Sequence, residues 1–370
     1  MTGRVRSGWI LSPAGDLAVF AGPLVAAAAI VLAFAREGRL EAEVPPWAFV
    51  LLVVGCDVAH VWSTLFRTYL DPEERARRPG LLLGVPVLCF AAGVMLHLFG
   101  SGVFWTVLAY LAAFHFVRQQ YGWMVYAARK GGETSAFDRR LDALFIYSAT
   151  GVPLLWWHAN LPRSFVWFRD GDFLEGLPAA IGTVALGAHW VVNALWVGRQ
   201  AWRWARGGGV NLAKVLVGTT TWAAWYGGIV WLDSDVAFTA TNVLAHGVPY
   251  FAIVHRWGRG RWAGSGGRLA AFFRPAGFLA FYGVLLALAF AEEGLWDALV
   301  WQQRAELFPL PRLVLDESML AFVVPLLAVP QATHYLLDAW IWRTGADNPG
   351  LAERLGFVPA APVDAGSAAV

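Results

Sequence analysis

Four histidines sit inside long apolar stretches, each with a polar residue three or four positions away. The first stretch reads Gly55-Cys56-Asp57-Val58-Ala59-His60-Val61-Trp62-Ser63-Thr64, and Asp57 and His60 share one helix face. The second, Ala113-Phe114-His115-Phe116-Val117-Arg118-Gln119-Gln120, sets His115 four residues before Gln119. The third, Thr241-Asn242-Val243-Leu244-Ala245-His246-Gly247-Val248-Pro249-Tyr250-Phe251, lines up Asn242, His246 and Tyr250 on one stripe. The fourth runs from Val329-Pro330-Gln331 to His334 and Asp338, again with a four-residue spacing. Imidazole is the commonest metal ligand, and a metal-bound imidazole is usually oriented by a second polar group. The pattern points to a shared metal site with His60, His115, His246 and His334 as ligands. Asp57, Gln119, Asn242 and Tyr250 are the candidate catalytic groups, placed to orient the ligands or hydrogen-bond reacting oxygen. One histidine per helix with few carboxylates suits a single ion of intermediate hardness, Fe(II) ahead of Cu or Zn. Taken singly, each histidine is as well explained by a hydrogen bond to a neighbouring helix. Four at compatible depth favour a common site.

The elements that carry these residues read as membrane spans. Of 370 residues 58% are hydrophobic, only 15% are charged and the mean hydropathy is +0.52, which excludes an ordinary soluble domain and a disordered chain. The expected fold is an all-α polytopic bundle of about ten spans. They are Leu17–Ala35, Trp47–Phe66, Leu81–Phe99, Val103–Ala127 and Leu141–His158, then Ala179–Arg199, Leu212–Leu232, Val236–His255, Ala271–Ala291 and Met319–Trp342. Gly, Pro and Asp-rich breaks such as Asp71-Pro72, Gly207-Gly208-Gly209 and Gly264-Ser265-Gly266-Gly267 separate them. Residues 1–343 form one membrane domain, and 344–370 read as a cytoplasmic tail, partly disordered beyond Pro359. The stretch after Arg4 and Arg6 begins like a signal peptide but stays apolar to Ala35 with no cleavage site, so it reads as the first span.

Basic residues alternate along this segmentation. Arg67 to Arg78, Arg129 to Arg140, Arg199 to Lys214, Arg256 to Arg274 and Arg343 with Arg354 fall on one side together with Arg4 and Arg6; the other side holds far fewer. The positive-inside rule then places both termini in the cytoplasm, in what reads as a bacterial inner membrane. His60, His115, His246 and His334 fall on even-numbered spans, all running inward, at depths of roughly 10–21 Å from the cytoplasmic boundary. His189, one turn before Asn193, is a fifth candidate; His97, His158 and His255 read as interfacial. Arg118 keeps its charge and needs a partner, with Asp57 or Asp338 expected, or else an anionic headgroup or substrate. Cys56 and Cys89 read as packing residues. Tryptophans at span ends, among them Trp47, Trp105, Trp157, Trp202, Trp231 and Trp340, suit the headgroup region. Net charge is +2 with no basic stripe, so no nucleic-acid partner is expected. Nucleophile-elbow, phosphate-loop, zincin and dinucleotide motifs are absent, as are the clustered His-x-x-His-His boxes of membrane di-iron enzymes.

The order of the histidine motifs resembles the Brp/Blh family of membrane-bound β-carotene 15,15′-dioxygenases. The matching stretches are Ala59-His60, Phe114-His115-Phe116, Ala245-His246 through Tyr250-Phe251, and Val329-Pro330 through Leu336-Leu337-Asp338-Ala339-Trp340-Ile341-Trp342-Arg343. Where the family carries a second histidine in its third motif this chain has Tyr250. Gln331 follows the late proline, and His334 lies one residue closer to Asp338 than the family spacing. The resemblance covers short segments of four spans. It implies histidine-bound non-haem iron and oxidation, with O2, of a lipophilic, carotenoid-like polyene held among membrane lipids. Two other readings stand beside it. A proton-coupled or small-molecule transporter would use the same His and Asp residues, although the breaks at Gly247-Val248-Pro249 and Val324-Pro325 lack counterparts in the first half. A non-catalytic haem- or lipid-binding protein is the third.

Overall fold

The computed structural model describes residues 8–262, 264 and 267–357; Arg4, Arg6, Ser265, Gly266 and the tail from residue 358 lie outside them. The chain is all-helical, with no strand among the described residues. Its long helices follow the order of the predicted spans. They are α1 (Pro13–Arg36), α2 (Pro46–Arg67), α3 (Pro79–Phe99), α4 (Ser101–Lys130), α5 (Ala136–His158), α6 (Ala179–Ala205), α7 (Leu212–Trp225, continued by π-helical Tyr226–Trp231), α8 (Asp235–Trp262), α9 (Pro275–Trp301) and α10 (Glu317–Ile341). All but α5 and α7, eight helices, are long and apolar enough to cross a membrane, which makes this an integral membrane protein. Composition sets the other two apart: α5 opens on Asp138, Arg139, Arg140 and Asp142, and α7 carries Lys214 and Thr219-Thr220-Thr221. The buried ones among these charges are paired, whereas Arg139 and Arg140 are exposed. Lys214 Nζ lies 2.7 Å from Glu133 and 3.1 Å from Asp142, and Arg203 lies 3.0 Å from Glu133.

Local chemistry sets several boundaries. Ser135, Asn211 and Asp316 accept backbone N–H groups as N-caps of α5, α7 and α10. Gly100, at φ +145°, supplies the break between α3 and α4 that a side chain would resist. Within α2, Phe49–Val58 is wound as π-helix and returns to α-helix at Ala59, one residue before His60. Long π segments are rare and concentrate at functional sites.

The helices form an inner and an outer set. The apolar stretches of α8, α2, α4 and α10 are 72%, 56%, 50% and 50% buried, against 17–28% for α1, α3, α6 and α9. The outer set shows residues such as Val25, Leu83, Leu98, Val184 and Leu279 to the surrounding lipid. The inner set is the histidine set. Trp47, Trp202, Trp231 and Trp340 are exposed near helix ends as expected, but Trp105 and Trp157 are buried in aromatic clusters with Phe168 and Phe165 instead. At the end carrying Arg67, a short helix, Leu351–Arg354, packs Leu351 and Leu355 into the core, so the first part of the expected tail is docked. Arg354 lies 2.9 Å from Glu73 and its hydrogen bond holds that carboxyl below the usual glutamate range.

Candidate metal centre

His60 lies on α2, His115 mid-way along α4, His246 on α8 and His334 on α10. All four are buried, and one nitrogen from each converges so that the four atoms lie within 4.8 Å of one another. The Nε2 atoms form a chain: His246 to His60 at 3.0 Å, His60 to His334 at 3.2 Å, and His334 to His115 at 3.1 Å. Four turns from four helices thus aim at one point.

Hydrogen bonding among the rings alone does not satisfy this cluster. A ring nitrogen carries either one N–H or one in-plane lone pair and so serves one good hydrogen bond. His60 Nε2 and His334 Nε2 each face two neighbours, so at most two of the three contacts can be hydrogen bonds. A cation at the centre would resolve the conflict by accepting lone pairs from His60, His115, His246 and His334. Metal–nitrogen bonds of about 2.1 Å set neighbouring nitrogens about 3.0 Å apart at right angles and about 3.4 Å apart in a tetrahedron. The three contacts fall within or beside that range. The all-imidazole donor set suits a first-row transition ion.

The supporting groups are built in a defined direction. His334 Nδ1 is 2.7 Å from Thr64 Oγ1, which is 3.1 Å from Tyr250 Oη. Tyr250 donates to Asp338 at 2.6 Å and accepts from Trp342 Nε1 at 3.2 Å. Read in sequence, His334 Nδ1–H donates to Thr64, Thr64 to Tyr250, and Tyr250 to the Asp338 carboxylate. Every donor in the series has an acceptor, and the His334 Nε2 lone pair is left facing the centre. Phe116 stacks on His246 with ring centres 3.5 Å apart and planes 7° from parallel. His60 and His246 keep Nδ1 without a hydrogen-bond partner among the described residues.

Several of the groups expected to orient the rings bond elsewhere. Gln119 donates to the backbone carbonyl of His246 at 3.2 Å, and not to a ring. Asn242 donates to the carbonyl of Phe238 at 3.0 Å and touches no ring nitrogen. Asp57 is 3.8 Å from His60 Nδ1, outside hydrogen-bond range. Arg118 pairs with neither Asp57 nor Asp338; it is exposed, bonded to the Tyr147 hydroxyl and placed over the Tyr121 ring. His189 stands apart from the cluster, with its nitrogens taken by Ser148 and Asn193. Thr64, Trp342 and Phe116 are the site residues that spacing did not single out. Thr64 sits four residues after His60, on the same face, which was the available signal.

A cavity of about 1070 Å³ ends beside this centre, lined not by the histidines themselves but by neighbours of theirs such as Phe116 and Asp57. Its outer part lies among the connections α1–α2 (Arg39, Glu43), α5–α6 (Arg169, Asp170) and α9–α10 (Arg304, Glu306). Its inner wall includes Asp57, Val61, Phe116, Asn242 and Gln331. On the opposite side of the histidines, Tyr250 and Trp257 are fully buried. There Arg67 is fixed by Glu74 at 2.9 Å, the Ile341 carbonyl at 2.9 Å and Asn348 at 3.1 Å. Comparisons with protein-family models, with curated proteins and with solved structures find no match.

Proposed function

We propose that the four histidines hold one iron(II) ion and that the protein is a membrane oxygenase acting with O2 on a lipophilic, carotenoid-like polyene. The observation that carries this reading is the convergence of four imidazole Nε2 atoms, 3.0–3.2 Å apart in sequence, inside an apolar bundle. Such an ion supplies the one-electron chemistry that O2 needs in order to react with a closed-shell polyene. The protein's part is to hold and enclose. His60, His115, His246 and His334 bind; Thr64, Tyr250 and Asp338 fix the tautomer of His334; Phe116 braces His246 by stacking. Phe116, Trp105, Trp167 and Trp296 give the cavity aromatic walls against which a conjugated chain packs. Burial keeps bulk water from the reacting atoms. The motif order shared with the Brp/Blh family supports the same chemistry, and the substitution of Tyr250 for that family's second histidine leaves four imidazoles here. In this reading the chain spans a bacterial inner membrane ten times with both termini cytoplasmic, α5 and α7 crossing behind their internal ion pairs.

The test is anaerobic reconstitution with Fe(II), followed by addition of O2 to protein holding β-carotene or another polyene. Loss of the polyene absorbance with matching O2 uptake, absent in His115→Ala, is the expected result. Protein that retains its metal yet consumes no O2 across a panel of polyenes would sink the oxygenase reading. The carboxylates around the cavity favour a second reading, cation or proton translocation. The closed packing at Tyr250, Trp257 and Arg67 counts against it, and a flux assay in proteoliposomes separates the two.

A further inference from the structure

We propose that the cavity above the histidines is the access route for the divalent cation of the four-histidine centre, and that its carboxylates draw that cation in. The inference rests on the metal reading of those histidines. A centre with His60, His115, His246 and His334 at 5% exposure or less cannot be loaded without a path. The cavity supplies one, because its inner wall is made by residues that touch the ligands: Phe116 lies on His246, and Asp57 is 3.8 Å from His60 Nδ1.

The wall chemistry selects cations. Along the cavity stand Glu43, Asp170, Asp235, Glu292, Glu293 and Glu306. The guanidinium groups are fewer and partly engaged, since Arg39 pairs with Glu37 at 3.2 Å and Arg304 lies 4.1 Å over the Phe49 ring. An excess of one sign between low-dielectric walls concentrates the opposite charge and raises its rate of arrival. Particular groups are left available. The Glu293 carboxylate makes no hydrogen bond or salt bridge among the described residues, whereas that of its neighbour Glu292 is anchored by Trp62 Nε1 at 2.7 Å. Asn242, 4% exposed, uses its Nδ2 on the Phe238 carbonyl and keeps its Oδ1 without a partner on the cavity wall. Asp297, by contrast, is occupied by the backbone N–H groups of Gln303 and Arg304, both at 2.8 Å, and serves the loop. A hydrated cation therefore meets carboxylates first, then the Asn242 amide oxygen and Asp57, and only then nitrogen. Oxygen donors replace its water stepwise before the imidazoles hold it.

The experiment uses chelator-stripped full-length protein in detergent, mixed with Co(II) and followed by the visible d–d absorption of imidazole-bound Co(II). Wild type is compared with Glu293→Gln and Glu293→Lys. The expected result is the same final absorbance in all three, with uptake about tenfold slower in the Gln variant and slower again in the Lys variant. The wild-type rate is also expected to fall with added salt. Unchanged rates at full absorbance would overturn the route while leaving the centre standing. Loss of final absorbance in Glu293→Gln would make that side chain a support of the centre and also overturn the route. Wild type that takes up no Co(II) would overturn the centre, and the route with it.

Discussion

The Nδ1 atom of His334 has Thr64 as its partner, 2.7 Å away, and that contact decides what the opposite nitrogen of the ring can do. With Nδ1 donating, Nε2 presents a lone pair; without the hydroxyl, either tautomer is open. The Thr64–Tyr250–Asp338 series thus works on the centre through tautomer and ring orientation. Thr64→Val keeps the volume and removes the hydroxyl. It is expected to weaken Co(II) affinity by about 10–100-fold in a chelator competition, with little change in helix content. Gln119→Leu, which touches only a backbone carbonyl of His246, is expected to leave that affinity nearly unchanged. Equal losses in both variants would remove the special role of the hydroxyl. The four histidines that converge were legible in the sequence because an imidazole in an apolar helix is conspicuous against its neighbours. Their supports were less so. Tyr250 was found on a shared stripe with His246, yet its partners are Thr64, Asp338 and Trp342 from other helices, and a contact between helices leaves no spacing in one of them.

At the scale of elements, the approach of α2 to α8 sets the distance between His60 and His246. Gly247 makes that approach possible. A Cβ there would meet the Cys56 carbonyl oxygen at 2.5 Å and its Sγ at 2.7 Å, the first of which belongs to backbone and cannot swing aside. Cys56 Sγ also lies 3.6 Å from the Val243 carbonyl, so the two helices are seated on each other across this small residue. Gly247→Ala is expected to part the helices and abolish stable Co(II) binding while the protein still inserts and purifies. Gly122→Ala, with nothing within 4 Å of the added carbon, serves as the comparison and is expected to bind normally. Binding retained in Gly247→Ala would show that the helices adjust without losing the centre. The existence and order of the helices were readable from apolar length, whereas the π-helical Phe49–Val58 was not. Its sequence, Phe49-Val50-Leu51-Leu52-Val53-Val54-Gly55-Cys56-Asp57-Val58, carries a single charged residue and no repeating polar face, so no periodicity betrays the change of winding.

For the whole molecule, the four histidine-bearing helices are the more buried set and the other membrane-length helices shield them from lipid. This inner placement follows from polar cost, since helices that carry imidazole, carboxylate and amide groups are the ones least suited to face hydrocarbon. Composition explains why α5 and α7 stand apart: Lys214 of α7 pairs with Asp142 of α5 and with Glu133, which Arg203 of α6 also holds. What no composition conveys is the cavity, whose walls come from connections far apart in the chain and meet only in the fold. The most direct measurement of the central claim is the transition-metal content of detergent-purified protein, wild type beside His60→Ala and His246→Ala. About one ion per chain in wild type, lost in both variants, is the expected result. Metal-free wild type after anaerobic purification and reloading, or variants that keep the wild-type content, would contradict it.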